Sequence, residues 1–283
     1  MVRQVIPSVA TPLAAPDWTA PWYQPWAGVG RAVWQAAAAQ GSCAGAVAAA
    51  LDAQAPAPLP VRFVPADQLP AGAAYEAFIA SQRAVPTRDN GHDAFNGLVW
   101  LRLPHTKARL NALQAAAIAR DGVQATRGAL RDAATVFDEN AVLLHAPDAL
   151  WQALAARRWS ELFGPLRPLW REARLLVFGH AALEKLVAPY KSITGHVWRV
   201  GLPFDPLGDL QALDAWLAAD LTPDKLAAKP FAPLPLLGVP GWWAGNEEAG
   251  FYDDAQVFRP ARGGTDAPLA LTPTLSQGER ESC

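Results

Sequence analysis

Cysteine is nearly absent from this sequence, since only Cys43 and Cys283 occur among its 283 residues. Two cysteines exclude a framework of disulfide bonds and a zinc site built from several thiolates. Such scarcity is typical of proteins that stay in a reducing compartment. We therefore expect a cytoplasmic protein.

An excess of charge of one sign is also missing. The chain has 24 Lys and Arg residues against 26 Asp and Glu residues, which gives a formal net charge of -2. This near balance argues against a protein that binds nucleic acids or that docks on membranes through a basic surface. No apolar run is long enough to cross a bilayer, and prolines interrupt the first twelve residues, where a signal peptide needs a continuous apolar segment. The sequence predicts no nucleic-acid partner, no membrane segment and no secretion.

What the chain does have is a large apolar fraction. Hydrophobic residues make up 51% of the sequence, which is enough for the core of one large domain. We expect a proline-broken arm at 1–17, one globular domain at 18–263 and a tail at 264–283. The tail lacks aromatic residues and hydrophobic periodicity, and it is predicted to be disordered.

The stretch 86–113 combines polar residues with a strongly apolar run. Asn90 is a favourable helix N-cap, and residues 94–103 predict a buried helix after it. Pro104 ends this helix and can open the next one. Two interpretations of the first turn stay open. In the first interpretation, the polar residues only cap the helix and form hydrogen bonds with nearby carbonyl groups. In the second, His92 and Asp93 are metal ligands or acid–base groups at the positive end of the helix.

A second polar group follows residues 175–178, which the pattern predicts as a buried strand. His180 lies where this strand passes into a helix, and Glu184 lies four residues later on the same face. Strand-to-helix junctions often carry functional residues, and a helix N-terminus favours a neutral imidazole. The alternative is a buried His–Glu pair with a structural role. Lys191 follows soon afterwards and is a candidate for binding an anionic group.

Between the two polar groups we expect a β-hairpin. Residues 133–136 and 142–144 are strand-like, and the intervening turn would carry Asp138 and Glu139 at its tip. Helical periodicity covers most of the other periodic segments. The predicted fold class is therefore α+β: a mostly helical single domain with a small sheet or hairpin. Tryptophans clustered in 18–34 are expected to pack over the core and anchor the N-terminal segment.

Five blocks of the sequence, taken together and in order, resemble a family of bacterial proteins known as domain of unknown function 3025. The blocks lie at 85–101, 137–140, 178–185, 189–191 and 237–254, and the resemblance covers about 17–262. The resemblance implies no established activity. It does single out polar residues beside buried elements, which must be paired and would most simply form a shared cluster: His92, Asp93, Asn96, Asp138, Glu139, His180, Glu184, Tyr190 and Lys191.

The first functional hypothesis is an enzyme, with a metal-dependent hydrolase as its most concrete form. His92, Asp93, His180 and Glu184 would bind a divalent metal such as zinc or manganese, and the metal would acidify a bound water. The catalytic residues would be these four together with Lys191. The substrate would be a small molecule. This hypothesis requires the two histidines to meet at one cavity.

Two alternatives belong to other classes of protein. The first is a non-catalytic protein that binds a small anionic ligand through Arg88, Lys107 and Lys191, assisted by the free amides at the start of the helix after residue 90. The second is a structural or interaction protein whose polar motifs only organise the core. Its interface would then be formed by tryptophans such as Trp22 or Trp242.

Overall fold

The computed structural model describes residues 13–41, 43–122, 128–203 and 205–261. Residues 1–12 of the expected arm and the whole tail at 264–283 lie outside the described residues. Helices dominate the described part of the chain, and short strands form two small sheets. The protein is thus a mostly helical α+β domain, as the sequence predicts. No helix in those ranges is both long and apolar enough to cross a membrane.

The elements follow in chain order. The helices in the described ranges are α1 Ala27–Ala39, α2 Ala46–Ala53, α3 Tyr75–Gln82, α4 Gly91–Arg102, α5 Pro104–Asp121, α6 Ala129–Asn140, α7 Asp148–Ala155, α8 Trp159–Phe163, α9 His180–Lys185, α10 Leu210–Asp220 and α11 Pro223–Ala227. The strands are β1 Arg62–Pro65, β2 Ala84–Thr87, β3 Ala141–His145, β4 Arg174–Val177, β5 Thr194–Arg199 and β6 Ala232–Pro235. Short 3₁₀ turns connect several of them.

The larger sheet has four strands in the order β4-β3-β5-β6. Strand β3 lies in the middle, where Leu143 pairs with Leu176 of the antiparallel β4 and with Trp198 of the parallel β5. The smaller sheet consists of β1 and β2, which run parallel to each other. Each sheet thus pairs segments that lie far apart in the sequence.

The prediction of a β-hairpin at 133–144 is wrong. Residues 133–140 belong to α6, and only the second half of the expected hairpin is a strand. The buried residues of α6 include Ala133, Ala134 and Phe137, a spacing that suits one face of a helix. Strand β3 pairs with β4 and β5 and not with a strand at 133–136. As a result, Asp138 and Glu139 lie in the last turn of a helix and not at the tip of a hairpin.

The aromatic residues near the N-terminus pack over the core, as predicted. Trp22, Trp26 and Trp34 are all buried. Tyr23 stacks on Phe95 of α4, with ring centroids 5.8 Å apart and the planes 9° from parallel. Its hydroxyl donates a 2.7 Å hydrogen bond to the carbonyl oxygen of residue 183 in α9. The N-terminal segment therefore joins α4 to α9, the two helices that carry the predicted site.

Helix α4 begins as the sequence predicts. The Asn90 side chain accepts a 2.8 Å hydrogen bond from the amide of Asp93, which satisfies one free donor of the first turn. The residue before it, Asp89, accepts from the amides of Gly45 and Val47 at 2.8 and 2.9 Å. The loop between β2 and α4 is therefore held from both sides, and the first turn of α4 has a fixed position.

Candidate functional site

The two histidines predicted to meet do lie next to each other. His92 is in the first turn of α4, and His180 is the first residue of α9. Their Nε2 atoms are 3.1 Å apart. The rings have centroids 4.5 Å apart and planes at 78°, so the imidazoles touch edge to face although 88 residues separate them.

Each imidazole is also held by its other nitrogen. The Nδ1 of His92 lies 2.9 Å from Oε2 of Glu184. The Nδ1 of His180 lies 2.8 Å from the carbonyl oxygen of Asp138. The His180 side chain is only 7% exposed, whereas the side chains of His92 and Glu184 are 33% and 44% exposed. The pair therefore has a buried member and a member that solvent and small molecules can reach.

The contacts of His180 define its protonation state. A carbonyl oxygen can only accept a hydrogen bond, so the Nδ1 of His180 must donate to it. Burial lowers the pKa of His180 to about 4, because desolvation and the nearby cationic Lys107 outweigh the attraction of Asp138. His180 is therefore neutral near pH 7, and its Nε2 presents a lone pair to His92.

His92 has to supply the hydrogen between the two Nε2 atoms. Its Nδ1 faces a carboxylate oxygen of Glu184, which accepts a hydrogen bond. Its Nε2 faces the lone pair of His180. Both nitrogens of His92 therefore act as donors, and this is the hydrogen-bonding pattern of an imidazolium. The contacts of the pair therefore suit one proton between two imidazoles, with Glu184 placed to compensate its charge.

Gly179 allows α9 to start close enough to α6 for this arrangement. A Cβ atom at Gly179 would lie 2.4 Å from the carbonyl oxygen of Glu139 and 2.4 Å from the amide nitrogen of Asn140. No side chain fits there without moving the backbone. Glycine therefore brings the first turn of α9 against the last turn of α6, where His180 reaches the carbonyl group of Asp138.

A buried ion pair supports the same end of α6. The Lys107 ammonium donates to Oδ1 of Asp138 at 2.5 Å and to Oδ1 of Asn96 at 2.7 Å. Asn96 in turn donates to the Tyr75 hydroxyl at 3.3 Å. Burial is the largest influence on Asp138 and disfavours its charged form, but Lys107, His180 and His92 together outweigh burial and lower the pKa of this carboxyl. The network fixes the residue whose carbonyl orients His180.

Asp93 is close by, but its carboxylate is fully engaged. Its Oδ2 accepts from the amide and Nε of Arg88 at 2.7 and 3.1 Å, and its Oδ1 accepts from Nη2 at 2.8 Å. Glu184 contacts the Nδ1 side of His92, away from the Nε2 atoms. The expected metal ligands are therefore not directed at one point. In the described ranges, no group of three or more His, Cys, Asp and Glu side chains could hold a metal ion.

Lys191 does not join the histidines. Its ammonium lies 3.1 Å from Oδ2 of Asp254 and 4.4 Å from the ring centroid of Phe251. It thus ties the turn after α9 to the C-terminal part of the domain. It is also absent from the wall of the cavity described next, so its expected catalytic role has no support in its surroundings.

A cavity of about 560 Å³ opens beside the histidine pair. A volume of this size suits a small molecule. Burial raises the pKa of the Glu76 carboxyl in its wall, and Asp138 adds to this effect. The lining consists of Ala66, Leu69, Ala74, Tyr75, Glu76, Pro86, Arg88, His92, Asp93, Asn96, Gln114, Ile118, Arg131, Thr135, Asp138, Glu139 and His180.

Arg131 and Thr135 were missed at the level of sequence, whereas Asp138 was expected in the cluster but was assigned to a hairpin turn. Arg131, Thr135 and Asp138 line the cavity from one face of α6, because residues four and seven apart share a face of a helix. The expected hairpin concealed this spacing. A helical assignment for 129–140 would have revealed it, since Leu130, Ala134 and Phe137 supply the matching apolar positions.

Fold and site together define an α+β protein with a histidine pair at the wall of a polar cavity. The sequence matches the model of the family described as "Protein of unknown function (DUF3025)" over residues 61–262. The match covers more than half of the chain, and the chain belongs to this family. No curated protein and no solved structure shows a significant match to it.

Proposed function

We propose that the protein is an enzyme that uses His92 and His180 for general acid–base catalysis on a small molecule. The observation that carries this proposal is the 3.1 Å contact between the two Nε2 atoms at the wall of the cavity. Both Nδ1 atoms have their own acceptors, so the proton between the Nε2 atoms is the one available for transfer.

The roles of the residues follow from their contacts. His92 is the more exposed imidazole, so it is the residue that meets a substrate. It acts as the general acid, because a basic substrate atom in the cavity competes with the Nε2 of His180 for its proton. Once it has given up this proton, His92 is a general base. Glu184 stabilises the imidazolium, as a carboxylate does in a catalytic triad.

A divalent metal, such as zinc or manganese, between the two Nε2 atoms is the competing occupant. It would give the hydrolase suggested by the sequence. The proton has better support for two reasons. The Nε2–Nε2 distance is that of a hydrogen bond, and the carboxylates of Asp93 and Glu184 are engaged away from this point. Two imidazoles alone make an incomplete set of ligands for either metal.

The binding and interaction alternatives have weaker support. Of the cations they require, Arg88 is bound to Asp93, Lys107 is bound to Asp138, and Lys191 contacts a third acid. The tryptophans suggested as an interface, Trp22 and Trp242, lie against each other with ring centroids 6.1 Å apart.

A turnover assay with a metabolite extract tests the proposal, because it screens many candidate substrates at once. The wild type, His92→Gln and His180→Gln are each incubated with the extract, and mass spectrometry follows the loss of compounds. At least one compound should disappear with the wild type and do so at least about 100-fold more slowly with both variants, which is a typical effect of losing a general acid or base.

His105→Gln is the matched control, because this histidine is exposed and only its backbone amide is bonded to another element. It should retain full turnover. Equal turnover in all four proteins, or no turnover in any of them, would contradict the proposal. If the wild type contains stoichiometric zinc or manganese and His92→Gln does not, the result would show that a metal, and not a shared proton, links the two imidazoles.

We also propose a cytoplasmic location. Cys43 is free and exposed, and an exposed free thiol suits a reducing compartment. Fractionation of cells that express a tagged chain tests this, and recovery outside the cytoplasm would contradict it.

A further inference from the structure

Arg131 differs from the other cations at the cavity. Its side chain lines the wall, and its Nε atom is buried without a hydrogen-bond partner. Arg88 in the same wall is bound to Asp93, and Lys107 behind it is bound to Asp138 of the wall. An unpaired buried guanidinium nitrogen is costly, so its persistence suggests that a partner arrives from outside the chain.

The position of Arg131 is fixed relative to the histidines by one helix. It precedes Asp138 by seven residues on the same face of α6, which is about 10 Å at the helical rise per residue. The carbonyl group of Asp138 binds His180. The cavity therefore has a guanidinium toward one end and the histidine pair toward the other, separated by about the length of a small metabolite.

We infer that the cavity takes a small molecule with an anionic group, a carboxylate or a phosphate, which binds Arg131 while its reacting atom lies at the histidine pair. The placement of the reacting atom rests on the proposed function, whereas the binding of the anion does not. A guanidinium suits this task because it presents paired donors that match the oxygens of either group.

Glu76 is the acid that competes for Arg131. It is close enough for their charges to interact, although the Nε of Arg131 makes no hydrogen bond to it. Asn111 holds its carboxylate by a 2.5 Å hydrogen bond and also donates to its backbone carbonyl at 2.9 Å. Glu76 lines the same cavity as Arg131, so its carboxylate repels an incoming anion. Removing that charge should therefore strengthen anion binding.

An NMR titration with inorganic phosphate in one arm and succinate in the other tests the inference. The resonance of the Arg131 Nε–H group and the backbone amides report the dissociation constant. The arm with the tighter binding identifies the anionic group. We expect saturable binding in at least one arm, at least about tenfold weaker in Arg131→Gln, a loss typical of a charged hydrogen bond.

Three further variants sharpen the result. Arg131→Lys keeps the charge and should fall between the wild type and Arg131→Gln, whereas Glu76→Gln should bind more tightly than the wild type. Arg171→Gln removes an exposed arginine elsewhere and should change nothing. Absence of saturable binding in both arms, or equal affinity in the wild type and Arg131→Gln, would overturn the inference.

The same variants separate this inference from the proposed function. His92→Gln and His180→Gln should keep the anion affinity within about twofold, since they leave the guanidinium in place. If these variants lose turnover while Arg131→Gln binds anions normally, the acid–base proposal stands and the anion site fails. If Arg131→Gln loses the anion while the histidine variants retain turnover, the opposite holds.

Discussion

Two buried polar clusters of this protein differ in how completely they are bonded. In the first, the carboxylate of Asp214 on α10 caps the start of α5. It accepts from the amides of His105 and Thr106 at 2.8 Å each and from the Thr106 hydroxyl at 2.7 Å. In the second, at the cavity, the Nε2 atoms of two imidazoles lie 3.1 Å apart, and Arg131 keeps a buried nitrogen without a partner.

Under the proposed function, this difference separates a structural cluster from a catalytic one. The carboxylate of Asp214 is satisfied by one neighbouring helix and does not line the cavity. Buried polar groups that serve the fold are normally paired in this way. The cavity cluster combines bonded supports with one buried guanidinium nitrogen that has no partner, as the proposed ligand site requires. Mutations should therefore change the free energy of unfolding by different amounts at the Lys107–Asp138 pair, at the Asp214 cap and at Arg131.

The largest loss of stability should come from the support of the cavity. Lys107→Met removes the ammonium from a buried ion pair and leaves the Asp138 carboxylate without its partner. We expect the free energy of unfolding to fall by about 3–5 kcal/mol, measured by urea denaturation. The double variant Lys107→Met with Asp138→Asn should lose less than the single one. A loss below about 1 kcal/mol in the single variant would contradict the role of this pair.

The next effect is the pH dependence caused by His180. Its pKa is about 4 in the folded state against 6.5 for an ordinary histidine, so the unfolded chain binds the additional proton between these values. Stability should therefore be complete above pH 6.5 and decrease as the pH falls to 4, by about 3 kcal/mol. Urea denaturation of the wild type and His180→Gln across this range measures the difference. Equal slopes for the two proteins would contradict a neutral buried imidazole.

The capping cluster should show an intermediate loss. Asp214→Asn replaces one acceptor oxygen by a donor that faces the amides at the start of α5. We expect a loss of about 2 kcal/mol, because buried donors lose their partner. Asp209→Asn at the exposed N-cap of α10 is the control, since asparagine caps as well as aspartate there. Equal losses for the two variants would remove the distinction between a buried and an exposed cap.

The smallest effect should be found at Arg131. Arg131→Met removes a guanidinium whose Nε has no partner, so the change in the free energy of unfolding should stay within about 0.5 kcal/mol or be stabilising. Thermal unfolding without added anions measures it. A loss above about 2 kcal/mol would mean that Arg131 is a structural residue like Asp214, and the contrast between the clusters would then fail.

Local signals in the sequence were enough for part of the fold and of the site. The N-cap Asn90, the apolar run after it and Pro104 define α4 and the start of α5 from short-range patterns alone. The junction at Gly179 and His180 was likewise visible, because a buried strand followed by glycine and a polar residue is a local pattern. These local patterns were enough to predict that His92 and His180 each lie at the start of a helix.

The remaining features depend on contacts between distant segments. Strands β2 and β5 pair with β1 and β3, far away in the sequence, and short strands of this kind carry little periodicity of their own. The α6 error had a different origin, because the helical spacing of Leu130, Ala134 and Phe137 is present in the sequence and was obscured by the strand-like run 133–136.

Tertiary packing also decides three features of the site that the sequence could not predict. These are the partners of His92, the ion pair of Asp93 with Arg88 and the separate location of Lys191.

The shared proton is tested most directly by long-range ¹H–¹⁵N NMR of the imidazole nitrogens in the wild type near neutral pH. We expect a neutral His180 with hydrogen on Nδ1 and none on Nε2, next to His92 with hydrogen on both nitrogens. A His180 with hydrogen on Nε2, or two neutral imidazoles without a hydrogen bond between them, would contradict it.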